Sequence, residues 1–376
     1  MIGVYAGSFD PFTNGHLEIV SQASEIFDRI IVLVAENPEK RHWFSGPERQ
    51  AVIKGSVAED IEVATLTGTD TAVEYAYRLG ACLVRGLGEF TDYPAEKTLS
   101  GANSRLRPEV KTVFLMTGNA GNQMRSSTVR EALKYRFGWR SIRDTVPQAT
   151  FNAALLKLLA DRAQAAGLAL RLDRDTLSRY LDRPYHNLGH LAYMLDLAEL
   201  WNPGGSLVDP LDLWAAVIYH DLLVDSDPDV AAGEDVALSL KKMEEAELPG
   251  RSRQAVVEMI QATDHEHYTF APAPNLNLTP AQKLMCGLDL AILGESPYEY
   301  TRYTEAVRLE YAPKYGYLSD AFRTGRLAFL RTALARLKAG PIINPEFDER
   351  MAVNLGRELA ELTQPDSGGL TSRPEI

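Results

Sequence analysis

Residues 2–16 read IGVYAGSFDPFTNGH, and the change of character inside this stretch decides the fold of what surrounds it. Residues 2–6 (IGVYA) form an apolar run without alternation, the pattern of a strand buried on both faces. Residues 7–15 (GSFDPFTNG) gather glycine, proline, aspartate and asparagine, so the chain turns there. The segment HLEIVSQASEIF (16–27) then spaces its apolar side chains as a helix does, and IIVLVA (30–35) returns to a β-branched run. That is one βαβ unit. A second cycle follows: a helix around PERQAVIKGSVA (47–58), a strand IEVATL (61–66), a helix TAVEYAYRLG (71–80) and a strand ACLVRGL (81–87). A further strand, TVFLMTG (112–118), leads through a polar loop to the helix STVREALKYRF (127–137). Strands alternating with helices predict an α/β, Rossmann-like parallel sheet covered on both faces.

The pattern changes near residue 150. From FNAALLKLLADRAQAAGLAL (151–170) onward the periodicity is helical, broken by proline and glycine at 202–210, 248–251 and 271–280, which predicts an all-α second domain. We expect domains over 1–162 and 163–364, joined through the Ala/Gly-rich stretch at 160–170, with a loose tail at 365–376. A length of 376 residues suits two or three domains at about 150 residues each.

Hydrophobic residues make up 45% and charged residues 24%, an ordinary globular mix that excludes global disorder. The net charge of -12 is uneven: residues 1–160 sum to zero and the remainder carries all of it. An acidic second half argues against a duplex nucleic-acid surface there and suits a cation site, with most of the acidity left to solvated surface. No nucleic-acid partner is expected. Cys82 and Cys286 lie in apolar contexts without CxxC spacing and read as buried thiols in a reducing compartment. No apolar run approaches the ~18 residues of a membrane span, so the expected location is cytoplasmic and without membrane.

The turn 7–15 sits where a doubly wound sheet places its ligands, at the carboxyl end of a strand and the start of a helix. Gly7 would let phosphate approach the backbone closely, and His16 directly after Gly15 stands at the helix start. YAGSFDPFTNGH, ENPEKRHWFSGPERQAV, GACLVRGLGEFTDY, TVFLM, SSTVREAL and VPQATFNAALLKLL recur in the order that resembles the HxGH-type adenylyltransferases, and within them the phosphopantetheine adenylyltransferase family. The resemblance covers residues 2 to about 160, with Thr13-Asn14-Gly15-His16 standing where that family has its TxGH motif. It implies ATP and a phosphorylated small molecule as substrates, Mg2+ to screen charge, and His16 as donor to the transferring phosphate. It further implies Gly7, Ser8 and Phe9 in the binding turn, Ser8, Lys40 and Arg85 on the acceptor phosphate, Ser126, Ser127 and Thr128 on the ATP phosphates, and Glu96 on the ribose side. Homo-oligomers are common in that family, although the fused helical domain could block such an assembly.

Three departures bear on the substrate. Arg85-Gly86-Leu87-Gly88 replaces the usual RGLR, so that either Arg125 or Arg105 compensates or ATP binds more weakly. Thr71-Ala72 stands where a Leu-Leu pair is usual, and TGNAGNQMRSST replaces WxxISSS. Another phosphorylated acceptor therefore rivals pantetheine phosphate.

Five of the seven histidines follow residue 180. Tyr185-His186-Asn187-Leu188-Gly189-His190 is expected to put two imidazoles at i and i+4 on one helix face. AVIYHD (216–221) places His220 and Asp221 at the end of an apolar helix, and LDL (288–290) places Asp289 in another. A carboxylate facing a core needs a partner, and a cation is one. With GEDVALS, TDH, GLDLAILG, VRLEY, FRTGRLAFL and FDERMAVNLGRELAEL, the pattern over 150–364 resembles the HD superfamily of metal-dependent phosphohydrolases. The resemblance implies His190, His220, Asp221 and Asp289 as ligands to Mn2+, Fe2+, Mg2+ or Zn2+, and His186 as general acid. Glu234 and His265 read as outer or second-metal residues, and His267, Asp225, Asp227 and Asp229 as solvated surface. The tyrosines of YEYTRY (298–303) read as core, and Arg308 and Glu310 as either phosphate binders or an internal pair. The whole chain then reads as a bifunctional enzyme, or as one catalytic domain beside a nucleotide-sensing module.

Overall fold

The computed structural model of the chain describes residues 1–35, 41–66, 70–88, 92–118, 124–165, 179–227, 229–231, 233–245, 252–265, 269 and 278–364. The chain divides between Leu159 and Ala160 into two units. Lys40, His267 and the tail 365–376 lie outside the described residues.

In the first unit, strands β1 (Ile2–Gly7), β2 (Arg29–Val34), β3 (Glu62–Thr65), β4 (Cys82–Leu87) and β5 (Thr112–Met116) form one parallel sheet in the order β3-β2-β1-β4-β5. Helices α1 (Asn14–Ile26), α2 (Gly46–Lys54) and α3 (Ala72–Arg78) connect the first four strands. The register sets Val4 beside Ile31 and Leu83, all fully or almost fully buried on one face with Val73 and Ala76 of α3. On the other face Tyr5, Val32 and Val84 pack with Ile19 and Val20 of α1 and Ile53 of α2. Both faces are covered, which is why these strands read as continuous apolar runs, each buried side chain contributing about 1.5–3 kcal/mol.

Helix α4 (Tyr93–Leu106) was not expected from the sequence, and it buries none of its residues. Helices α5 (Ser126–Ala132), α6 (Trp139–Ile142) and α7 (Gln148–Ala165) follow β5. The division between the units falls inside α7, and residues 160–165 are helical.

The described residues of the second unit beyond α7 form helices only: α8 (Leu188–Trp201), α9 (Pro210–Tyr219), α10 (Asp235–Glu245), α11 (Arg253–Ala262), α12 (Pro280–Leu290), α13 (Pro297–Tyr315), α14 (Asp320–Ala339) and α15 (Pro345–Thr363), with short 3-10 turns. All eight interior residues of α9 from Asp212 to Tyr219 are buried, as are residues 188–198 of α8, so these two are core helices rather than amphipathic surface ones. A second core joins α12–α15 through Tyr300, Tyr303, Val307, Leu330, Met351 and Leu355. No described helix is long and apolar enough to cross a membrane.

Both cysteines are free. Cys286 is buried, its Sγ donating to the Ala262 carbonyl at 3.0 Å, and burial pushes the thiol up to about 12. Cys82 departs from expectation: it is half-buried, packing at the margin of the sheet's core.

Candidate functional site

The order β3-β2-β1-β4-β5 reverses direction at β1, and a cleft of about 380 Å3 opens beside the carboxyl ends of β1 and β4, lined by Ser8, Gly15, His16, Gly86, Gly88 and residues from 117–130. Its turn is built by buried polar anchors. Asp10, 4% exposed, accepts from the Trp43 N–H at 2.8 Å and the Phe44 N–H at 2.9 Å. The guanidinium of fully buried Arg49 donates to the carbonyls of Ser8 at 2.8 Å and Ala35 at 3.2 Å, tying the turn to the end of β2. Phe9 is held at φ 47° with its ring against Gly7, where an added Cβ would stand 2.8 Å from Cζ. Gly7 therefore leaves room for the Phe9 ring, and neither residue is among those that line the cleft.

His16 lies in the first turn of α1. The Thr13 backbone N–H donates to its Nδ1 at 2.9 Å, which leaves the proton of the neutral ring on Nε2 as a donor. Its ring packs edge-on to Phe9 and stacks on Phe12, with centroids 5.1 and 5.5 Å away, and burial lowers its pKa to about 4. The folded chain thus binds fewer protons than the unfolded one below pH ~6.5, so this group's stabilisation is present above that pH and is lost as pH falls toward about 4. Histidine NMR should show the His16 ring neutral at pH 5, with a midpoint near 4; a midpoint above 6 contradicts this environment.

The structure redistributes the other expected ligands. Arg85 and Glu96 are brought together, but with each other: Nε and Nη2 of Arg85 donate to both Glu96 oxygens at 2.6 and 2.8 Å, and Nη1 donates to the Ala6 carbonyl at 2.8 Å. Neither is among the residues that line the cleft. A bidentate pair satisfies both charges internally. Ser126 and Ser127 line the cleft and Thr128 does not. The Ser126 hydroxyl donates to the Pro11 carbonyl at 2.8 Å. Arg125 and Arg130 do line it, and Arg105 does not. Arg125 reaches Asp92 at 2.9 Å, and Asp92 in turn accepts from the Gly88 N–H at 3.2 Å. Arg130 donates to the Asp10 carbonyl. The sequence signal for this pair was the flanking of Ser126-Ser127-Thr128 by arginines. Thr71 caps α3, accepting from the Glu74 N–H at 3.3 Å.

A Cytidylyltransferase-like family model matches residues 4–132. Phosphopantetheine adenylyltransferase of Alkaliphilus metalliredigens (strain QYMF) is 39% identical over 155 residues, 40% of this chain and 96% of that protein. The enzymes of the same name from Streptococcus pyogenes serotype M2 (39% over 149 residues, 39% of this chain and 90% of that protein) and Synechococcus sp. strain JA-2-3B'a(2-13) (42% over 137 residues, 36% and 85%) are similar too. The chain belongs to the phosphopantetheine adenylyltransferase family. Membership rests on the Rossmann-like part of the chain, and these adenylyltransferase relatives leave about three-fifths of it without a counterpart.

That remaining part holds a second cluster, in the helical unit. One ligand atom each from His190, His220, Asp221 and Asp289 lies within 4.8 Å of every other, the only such group among the described residues. His190 comes from α8, His220 is the C-cap of α9, Asp221 follows it, and Asp289 comes from α12. The His220 Nδ1 bonds the Val217 carbonyl at 2.9 Å, so a neutral ring turns the lone pair of Nε2 toward Asp221 Oδ2, only 2.8 Å away. His190 Nε2 lies 3.4 Å from His220 Nε2, from Asp221 Oδ2 and from Asp289 Oδ1. The buried Asp221 Oδ2 has no hydrogen bond of its own. These spacings suit a shared cation, since ligands about 2.1 Å from one ion stand about 3.0–3.4 Å apart at right-angled to tetrahedral geometry. The donor set therefore fits a divalent metal.

Outer contacts orient the cluster. His265 Nε2 bonds Asp289 Oδ2 at 2.9 Å and its Nδ1 bonds Thr269 Oγ1 at 2.9 Å. His186 departs from expectation: α8 begins at Leu188 with Asn187 as its cap, so His186 precedes the helix and shares no helix face with His190. Glu310 holds it there, Oε1 on His186 Nδ1 at 2.5 Å and Oε2 accepting the N–H groups of Tyr185 and His186 at 2.8 and 3.0 Å. Burial opposes charge on His186, yet Glu310 and Asp221 outweigh it and raise the imidazole to about 9. Glu310 thus serves His186, while Arg308 faces Glu305 at 3.6 Å, so they do not pair together.

Two further expectations are corrected. Asp225 is not solvated surface: it accepts from the Tyr311 hydroxyl and lines the same cavity as Asp221 and Asp289. Asp227 pairs with Arg183 at 2.8 Å, and Asp229 is exposed. Asp235, rather than its neighbour Glu234, lines that cavity. Of the 298–303 tyrosines, Tyr300 and Tyr303 are buried and Tyr298 is exposed.

Proposed function

We propose that the first unit transfers an adenylyl group from ATP to a phosphorylated small molecule, pantetheine phosphate or a relative, with release of pyrophosphate. An acceptor phosphate oxygen attacks the α-phosphorus, the bond to the bridging oxygen breaks, and no protein nucleophile takes part. Catalysis is then positioning and charge neutralisation. His16 is the carrying observation: its Nε2–H is oriented into the cleft by the Thr13 contact, ready to donate to an α-phosphoryl oxygen. Arg125 and Arg130 supply the positive charge that Gly88 lacks. Mg2+ on the ATP phosphates would screen the charge that develops during transfer. Pyrophosphate release measured with phosphopantetheine and other phosphorylated acceptors tests the reading. The Arg125→Ala variant should raise KM for ATP by about 10-fold with kcat within about 3-fold; an unchanged KM removes Arg125 from the site.

For the second unit we propose metal-dependent phosphoester hydrolysis of the HD type. The convergence of His190, His220, Asp221 and Asp289 carries this reading. A divalent cation bound there supplies charge for the phosphoryl oxygens and acidifies the attacking water. His186, held by Glu310 on the cavity wall, is placed to deliver a proton to the leaving oxygen. Metal content and phosphatase activity on the intact chain test it, as set out in the Discussion.

A further inference from the structure

The cavity that contains His186, Asp221 and Asp289 extends over about 480 Å3, far more than one phosphate needs. Its remote part runs along α13 and α14 and is walled by Tyr303, Val307, Tyr311, Phe322 and Phe329. Arg326 is the one lysine or arginine among the described lining residues, and it is neutralised in place. Its Nε and Nη2 donate to both oxygens of Glu358 at 2.9 and 3.0 Å, and Nη1 donates to the Tyr303 hydroxyl at 3.0 Å. The guanidinium also lies over the rings of Tyr303 and Phe329, with the pair 9% and 4% exposed, so it is a fixed part of the wall. Lys314 on the same helix as Tyr311 donates to the carbonyls of Asp225 and Val230. Apart from the metal cluster and the imidazoles of His186 and His265, what charge remains along the wall is negative, from Asp225 and Asp235.

Taking the hydrolase reading of this site as given, we infer that its substrate is a phosphate ester with a single phosphoryl group and an uncharged aromatic or apolar alcohol, not a nucleoside polyphosphate. One phosphoryl group is matched by the metal cluster. Any further phosphates would leave water for a wall with carboxylates and no uncommitted lysine or arginine among its described residues, which is costly. A ring or apolar chain instead gains from burial against the tyrosines and phenylalanines. Water adds to phosphorus, the ester P–O bond breaks, and the alcohol leaves with a proton, so inorganic phosphate and the free alcohol are the products.

The test uses the full-length chain loaded with Mn2+ and counts only hydrolysis that Asp221→Asn abolishes. We expect kcat/KM for 1-naphthyl phosphate to exceed that for ATP and tripolyphosphate by about 100-fold or more, the scale set by unmatched buried charge. Gly325 lines the cavity, is exposed, and has open space where a Cβ would stand, so Gly325→Trp narrows the apolar part without a backbone clash. Titration calorimetry on the Mn2+-loaded chain with 1-naphthylmethylphosphonate, whose P–C bond is not hydrolysed, should show binding weakened about 10-fold by Gly325→Trp, and likewise by Ala321→Trp on the same wall. Equal or faster hydrolysis of ATP or tripolyphosphate overturns the inference and leaves the hydrolase reading standing. Unchanged binding in both tryptophan variants overturns the assignment of the apolar wall to substrate. Absence of Asp221-dependent hydrolysis of every ester overturns the hydrolase reading and this inference with it.

Discussion

Asp221→Asn should empty the helical unit of metal. Its Oδ2 is the point on which three imidazoles converge, 2.8 Å from His220, 3.4 Å from His190 and 3.8 Å from His186. Asparagine keeps the volume and removes the charge that a divalent ion and a protonated His186 both require. Metal analysis of the purified chain should fall from about one ion per chain to about a tenth of that or less, because a neutral amide is a poor ligand for such an ion. Phosphoester hydrolysis should drop by about 1,000-fold, the loss expected when both the water and the phosphoryl group lose their cation. Circular dichroism and a cooperative urea transition would show that the fold survives. Stoichiometric metal in the variant would rule out the proposed ligand set.

His16→Ala should be nearly as damaging to the first unit. The imidazole is held by Thr13 with its donor nitrogen available, and it carries no positive charge at neutral pH because burial lowers its pKa to about 4. Its contribution is therefore a neutral hydrogen bond aimed at the phosphoryl oxygen where charge develops. Loss of one such donor costs about 100–1,000-fold in kcat. Ground-state binding of ATP depends mainly on the arginines and backbone, so KM for ATP should move by about 3-fold at most. Steady-state pyrophosphate release gives both numbers, and an undiminished kcat would remove His16 from the reaction.

The parallel sheet was legible because its central strands β1, β2 and β4 are largely buried and helical segments separate the strands. Val4, Val32 and Leu33 leave no ambiguity of that kind. Helix α4 was not read from the sequence, and it buries none of its residues. In the helical unit, His190, His220 and Asp289 stood out as ionisable residues inside apolar helices, where burial without a partner is costly. Glu310 offered no such signal, and its assignment needed the 124-residue separation from His186 to be closed by the fold.

The same distinction separates the cleft's ligands. A local motif such as Thr13-Asn14-Gly15-His16 is readable because neighbours in sequence are neighbours in space, as the Thr13 to His16 contact at 2.9 Å shows. Arg85 and Glu96 look like two independent phosphate and ribose contacts until the chain between them folds and they satisfy each other. Sequence alone determined that this chain has a sheet-based half with a motif for phosphate transfer and a helical half with buried histidines and aspartates. Only the tertiary structure decided which charges remain available to a ligand, because a buried charge takes the nearest opposite partner, and that partner is chosen by distance in space, not by position along the chain.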